Sequence, residues 1–581
     1  MPMQLYNTLT KGRQALTPGD PDLITFYTCG PTVYDDAHIG NFRSFLAADV
    51  LRRWLESPLC EVTAPDGSVH KGPRRVRHVM NITDVGHMTD DDNADGGGED
   101  KMAVAGQRIA EAKKSGKLPA GVDIDPNDPK AIAEFYAGRF LEDARSLGLR
   151  VAIEASASEA KRKELMPKAT ESIAGMIEMI EDLAHKGYAY RAGDAVYFDV
   201  QKYSRYGELS GNTLDKIRSG AGGRVTAAHT SEKRSPADFL LWKTDASHIM
   251  RWPGPVIDGE AMGEGYPGWH IECSVMARAA LGDVIDLHSG GEDNIFPHHE
   301  CERAQSCCAT GNETFARHWF HGRFLQVEGE KMSKSKGNFF TPRDLFAQGH
   351  EPAAVRLELI KTHYRSNANF TMQGLKDSAR MIERLRRYAK ELIYAVEKPR
   401  PGRPNFAAPA AHSFDFAKAL NDDLNISAAL GELSQALVWP AFSISSDLTE
   451  EEAKAFERQC VEWLLDAKNV DLPSQPMPAD EAAKLMSTAS DSFSQSLGFL
   501  HLVDHVLGVI FTPQTKATQT EIGVFLDGIT PSEDVEALLA RRADARKAKD
   551  YAASDAIRDE LAGLGFAIKD VAGGKVEVSR K

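Results

Sequence analysis

Residues 24–43, ITFYTCGPTVYDDAHIGNFR, constrain the fold more than any other stretch. Ile24 to Cys29 is apolar, aromatic and β-branched, the composition of a short buried strand. Gly30-Pro31 breaks it. From His38-Ile39-Gly40-Asn41 onward, Phe42, Phe45, Leu46, Val50, Leu51 and Trp54 recur at helical spacing. Gly40 permits close approach of backbone to a ligand, and a helix N-terminus offers unpaired N–H groups and partial positive charge to phosphate. The stretch therefore predicts a thiol at a strand end beside a phosphate-binding helix start. Together with the strand–loop–helix alternation that returns over 253–345, it leads us to expect an α/β domain with a doubly wound, Rossmann-like parallel sheet.

The 581 residues suffice for several domains. No run of about 18 apolar residues exists, which argues against a membrane span. The N-terminal residues lack an apolar signal core, so a cytoplasmic protein is expected. Seven scattered cysteines (29, 60, 273, 301, 307, 308, 460) favour metal ligation or burial over a disulfide framework. Net charge −15 argues against a generic polyanion binder, although local basic patches remain compatible with a nucleic-acid partner.

The order of segments predicts an interrupted catalytic domain followed by helical domains. Residues 1–130 form its first half, with a hairpin insertion at 59–75 and an acidic loop at 89–100. That loop resembles the opening of an EF-hand, but Met102 stands where the twelfth-position Glu belongs, so calcium is rejected. Helices are expected at 101–114, 128–148 and 158–187. Residues 131–252 form a connecting region, 253–345 the second half, and 346–397 a helical stem-contact region. Met381, Leu385, Tyr388 and Leu392 are a core stripe of the last of these. Pro-rich 398–413 is a linker. A helical bundle spans 411–512, and 520–581 is expected as a C-terminal tRNA- or anticodon-binding region, a basic helix pair from 531 that ends in a strand.

Two constellations carry chemistry. Lys331-Met332-Ser333-Lys334-Ser335-Lys336-Gly337-Asn338 is a cationic loop suited to closing on a polyphosphate and stabilising a leaving pyrophosphate. Paired with His38-Ile39-Gly40-Asn41 at the other end of an α/β region, it resembles the signature of class I aminoacyl-tRNA synthetases; GxxxxGK(S/T) is missing. The second constellation is Cys29, Cys273, His298 and Glu302, two thiolates, an imidazole and a carboxylate that suit four-coordinate zinc. Pro297 suits a helix start, which would put His298 and Glu302 on one face. Cys301 and His299 compete for the same role on spacing alone.

The segments YTCGPTVYDDAHIGNFR, VMNITD, DFLLWK, GWHIECSVMA, GGEDNIFPHHECERAQS, EKMSKSKGNF and HYRSNANFT, in this order, resemble the cysteinyl-tRNA synthetases. The resemblance implies that Cys29, Cys273, His298 and Glu302 hold one zinc ion per chain, which selects the substrate cysteine through its sulfur. It implies that Thr83 and Trp269 line the amino-acid pocket. His38, Gly40, Asn41, Asp293 and Lys334 would bind ATP with its Mg2+, and His38, Lys331 and Lys334 would act in catalysis. The expected partners are ATP, L-cysteine and tRNA(Cys), the last along a basic track from the lysine loop through Arg365 to residues 541–549. A monomer is expected. Departures are visible: Asn41 replaces the family's second His, 59–75 and 88–128 exceed the usual core, and no Trp closes the C-terminus. Two rivals share these motifs, a ligase passing cysteine to an amino-sugar and a non-catalytic RNA-binding paralogue.

Overall fold

The computed structural model describes residues 2–86, 100–115, 122–212, 233–333, 337–398, 409–436, 449–512, 518–519, 523–525, 533–548, 550–570 and 576–580. The chain divides into two compact units. One comprises Met1–Met332, Leu359–Asn369 and Ala408–Val438; the other comprises Ser333–Glu358, Phe370–Ala407 and Trp439–Lys581.

The first unit is built on β1 (Leu23–Thr28), α1 (Ile39–Glu56) and β2 (Arg75–Met80). Parallel strands need a crossover, and α1 supplies it, burying Phe42, Leu46, Val50, Leu51 and Trp54. The insertion at 59–75 is a hairpin, with Glu61–Thr63 antiparallel to Val69–Lys71. Then follow α2 (Lys101–Lys114), α3 (Pro129–Ser146) and α4 (Ile173–His185). The helix expected over 158–187 is two, Glu159–Leu165 and α4. Pro167 stops the first. The freed backbone pairs sideways instead: Ile82 N donates to Pro167 O at 2.9 Å, and Ala169 N donates to Ile82 O at 3.0 Å.

A four-stranded antiparallel sheet at 189–192, 195–198, 239–244 and 265–267 precedes the return to the parallel sheet. The return consists of α5 (Trp269–Leu281), β3 (Ile285–Gly291), α6 (Glu300–Thr310) and β4 (Ala316–Gly322). All four parallel strands lie in the order β4-β3-β1-β2, with Leu287 opposite Phe26 and Tyr27 opposite Val79. The order reverses between β1 and β3, and ligands of such sheets bind at the carboxyl ends flanking that reversal. Cys29 follows β1 there, its N–H donating to Ser289 O at 3.1 Å. The hairpin of β5 (Leu325–Val327) and β6 (Glu330–Lys331) follows, leading into the lysine loop.

Residues 409–436, expected in the bundle, belong with the first unit. Trp54 Nε1 donates to Asn421 Oδ1 at 3.1 Å. Asp423 receives Tyr6 N, the Tyr364 hydroxyl and Arg365 Nε at 2.9, 2.6 and 2.7 Å. Arg365 also covers the Tyr6 ring and is a structural ion-pair partner here, not an open cation.

The second unit holds the 26-residue helix Met372–Glu397, the helices Glu450–Lys468, Ala479–Thr488 and Ser492–Leu507, and a C-terminal part. In that part, helices Glu533–Lys547 and Tyr551–Gly563 share a small core (Leu539, Ile557, Leu561) with Val578 of a four-stranded sheet. Two cations of the basic stretch, Arg542 and Arg546, pair with Asp570. Among the described residues no helix is long and apolar enough to cross a membrane.

Candidate active site and metal centre

Cys29 from the end of β1, Cys273 on α5, and His298 and Glu302 before and on α6 offer ligand atoms that all lie within 4.8 Å of one another. Cys29 Sγ is 3.6 Å from Cys273 Sγ and 3.3 Å from Glu302 Oε1. Phe296 is extended, and helical backbone runs from Pro297 through a π-turn into α6, so His298 and Glu302 meet on one face as the spacing predicts. His298 Nε2 is buried 3.0 Å from Glu302 Oε1 but lacks hydrogen-bond alignment with it. Two ligands of one cation sit this way, as do two thiols turned toward a carboxylate. The donor set, soft sulfur with imidazole and carboxylate, fits zinc.

A second set shares Cys29 and Glu302 but substitutes His288 and His299. Their other bonds set them one layer out. His288 Nε2 holds the opposite Glu302 oxygen at 2.9 Å, and His299 bonds both Cys29 Sγ (3.3 Å) and His321 (2.7 Å). His321 in turn meets Thr8 Oγ1 at 2.8 Å, while His270 meets His298 Nδ1 at 2.9 Å. Such partners fix ring orientation around a metal. Cys301, the spacing competitor, faces the Tyr206 hydroxyl at 3.5 Å instead.

Electrostatics follow from burial. Desolvation pushes the Cys29 thiol well up, and Cys273 adds to the effect. Desolvation also opposes charge on Glu302, but His288 and His298 outweigh it and hold that carboxyl well below the usual range. Burial likewise opposes charge on His298, yet Glu302 and Cys273 raise it to about 10.

Beside this cluster, Asn81 Oδ1 accepts Gly30 N at 2.9 Å and lies 3.6 Å from Cys273 Sγ. A Cβ on Gly30 would come within 1.8 Å of Asn81 O, so only glycine fits there. Thr83, fully buried, links Asn81 Nδ2 and Glu272 Oε2 at 3.1 Å each. The Trp269 ring lies 4.1 Å from that of His298. The two expected pocket residues thus both adjoin the cluster.

At the start of α1, His38 and Asn41 cap each other. Asn41 N donates to His38 Nδ1, and His38 N donates to Asn41 Oδ1, both at 3.1 Å. Asn41 is therefore bound to backbone, and His38 Nδ1 is an acceptor, which puts the proton of the neutral ring on Nε2. A Cβ on Gly40 would meet Met332 Cε at 2.6 Å, so the lysine-loop hairpin comes up against the helix start. Lys331 is exposed on β6, and Asp293 is exposed in the turn after β3. Lys334 lies outside the described residues. Asn81, Glu272, His270, His288 and His321 escaped the sequence reading. A lone histidine on an apolar strand such as VIDLHSGG carries no spacing signal.

Known proteins resemble this chain over most of its length. A family model described as tRNA synthetases class I (C) catalytic domain matches residues 15–380, and one described as cysteinyl-tRNA ligase anticodon binding domain matches 531–577. The cysteine–tRNA ligase of Salinibacter ruber is 36% identical over 98% of this chain and 97% of its own length. That of Roseobacter denitrificans is 40% identical over 74% and 78%. Among solved structures, a Mycobacterium tuberculosis methionyl-tRNA synthetase with methionyl-adenylate matches 82% of this chain and 96% of its own, at 16% identity and TM-score 0.49.

Proposed function

We propose a mechanism from one premise: this chain belongs to the cysteine–tRNA ligase family and is an aminoacyl-tRNA ligase. It activates L-cysteine with ATP, giving cysteinyl-adenylate and pyrophosphate, and passes the acyl group to the 3′-terminal ribose of tRNA(Cys). The observation that carries this reading is the meeting of Cys29, Cys273, His298 and Glu302 at the carboxyl end of the sheet. Zinc held by these four would supply a Lewis-acidic seat that accepts a thiolate far more readily than a hydroxyl.

The chain's own residues do the rest by positioning and electrostatics. Trp269 and Thr83 flank the amino acid, with Thr83 held by Asn81 and Glu272. The substrate carboxylate attacks the α-phosphorus, and the bond to the β-phosphate oxygen breaks. His38 Nε2–H and the N-terminal N–H groups of α1 donate to phosphate oxygens. Lys331 and Lys334 balance the charge developing on the leaving pyrophosphate, which departs with the Mg2+ that ATP brought. Asp293, at the end of β3, contacts the nucleotide. The tRNA hydroxyl then attacks the adenylate carbonyl and AMP leaves. Buried Cys29 and Cys273, neither in a disulfide, suit the reducing cytoplasm.

Cysteine-dependent ATP–pyrophosphate exchange tests this reading. Cysteine should support exchange, serine should not, and a zinc chelator should abolish it. Equal exchange with serine would defeat selection through sulfur.

A further inference from the structure

The residues just before His38, within the segment YTCGPTVYDDAHIGNFR, form contacts that the mechanism above does not use. Asp35 and Asp36 precede His38 by three and two positions, so the Asp36 Cα lies within about 7 Å of that of His38. Both are acidic, and both stand close to where a triphosphate would sit. Uncompensated carboxylates at this range, less than a Debye length, repel phosphate.

The helices after the acidic stretch answer them. Arg139 on α3 clasps Asp36 with two parallel bonds, Nε to Oδ1 and Nη2 to Oδ2, both 2.6 Å, and each side chain is only 20% exposed. Arg108 on α2 bonds Asp35 Oδ2 at 2.6 Å, and the Lys101 ammonium lies 5.1 Å from the Tyr34 ring centroid. Next to Arg139, Phe140 stacks on Phe42 of α1 at 5.5 Å, so α3 is seated on the same helix that His38 caps. Tyr136 on α3 senses all four charges: burial pushes its phenol up to about 12, Asp35 and Asp36 add to this, and Arg108 and Arg139 oppose it.

We infer that Arg139, aided by Arg108, is a positioning residue for ATP: it neutralises Asp36 and holds that carboxylate off the phosphate site at the start of α1. The segment at 101–146 thereby serves the nucleotide end of the reaction, although it contributes no ligand to the metal cluster. The inference rests on the proposed placement of ATP phosphates at His38.

The test is the KM for ATP in cysteine-dependent pyrophosphate exchange, using the full chain. Arg139→Ala should raise it about tenfold with kcat nearly unchanged, and added salt should relieve part of the defect. Arg139→Lys, which keeps the charge, should stay near wild type, and this variant decides the matter if the alanine protein folds poorly. Asp36→Asn in the Arg139→Ala background should restore the ATP KM, because the harm comes from the exposed carboxylate. A double variant as impaired as Arg139→Ala, or a single Asp36→Asn with the same defect, would show a merely structural ion pair and overturn the inference. His38→Ala separates the two layers: loss of exchange there with a normal Arg139→Ala defeats only this inference, whereas intact exchange defeats the phosphate placement and this inference together.

Discussion

Cys273 on α5 meets Cys29 at 3.6 Å across 244 residues of chain. Cys273→Ser replaces a soft thiolate by a poor ligand, so zinc affinity should fall more than about tenfold and cysteine affinity with it. Unchanged metal content in the purified variant would remove Cys273 from the ligand set. Wild-type chain should also release protons on taking up zinc near neutral pH, since burial keeps Cys29 a thiol and the neighbours of His298 hold it at about 10. Zinc affinity should therefore rise with pH across the neutral range. The thiols of the proposed set were legible because cysteines are few, seven in the chain. Choosing Glu302 over Cys301 needed the resemblance, and the layer of His288, His299 and His321 behind it needed coordinates. Their hydrogen bonds to Glu302, Cys29 and Thr8 turn those histidines from core residues into supports.

Helix α1 shows how far periodicity reaches. Its apolar spacing gives the buried face, and Gly40 marks a close approach, but the sequence does not say to what. The neighbours are Met332 Cε, which a Cβ on Gly40 would meet at 2.6 Å, and the His38 ring, which it would meet at 2.9 Å. Gly40→Ala should change stability little, since alanine's helix preference of up to about 1 kcal/mol over glycine is offset by displacement of the His38 cap. It should nonetheless slow adenylation, by as much as about a hundredfold if the His38 ring shifts by an ångström. A variant with wild-type exchange rates would mean that Met332 simply swings aside. The segment 158–187 fails in the opposite way. Helical spacing runs through it, yet Pro167 and the sideways pairing with Ile82 break it in two. Long-range pairing of that kind leaves no local period.

At the scale of the molecule, the doubly wound sheet and the helical second half were readable from the order of strand and helix patterns. The allegiance of residues 409–436 was not, because Asp423 joins Tyr6, Tyr364 and Arg365 from far along the chain. The C-terminal helices and strands have a core of their own and coincide with the anticodon-binding match. Deleting residues 531–581 should depress tRNA charging while cysteine-dependent exchange continues; parallel loss of both activities would argue against a tRNA role for this end.

The spacing of the proposed metal ligands also bears on biosynthesis. Cys29 is translated 273 residues ahead of Glu302. At about 5–20 residues per second, roughly fifteen seconds to a minute pass before its last companion leaves the ribosome. No nascent fragment ending before residue 302 can assemble the full coordination set. Metal uptake at this cluster would thereby be coupled to completion of the catalytic fold, and a prematurely terminated chain would be left with a bare thiol open to oxidation.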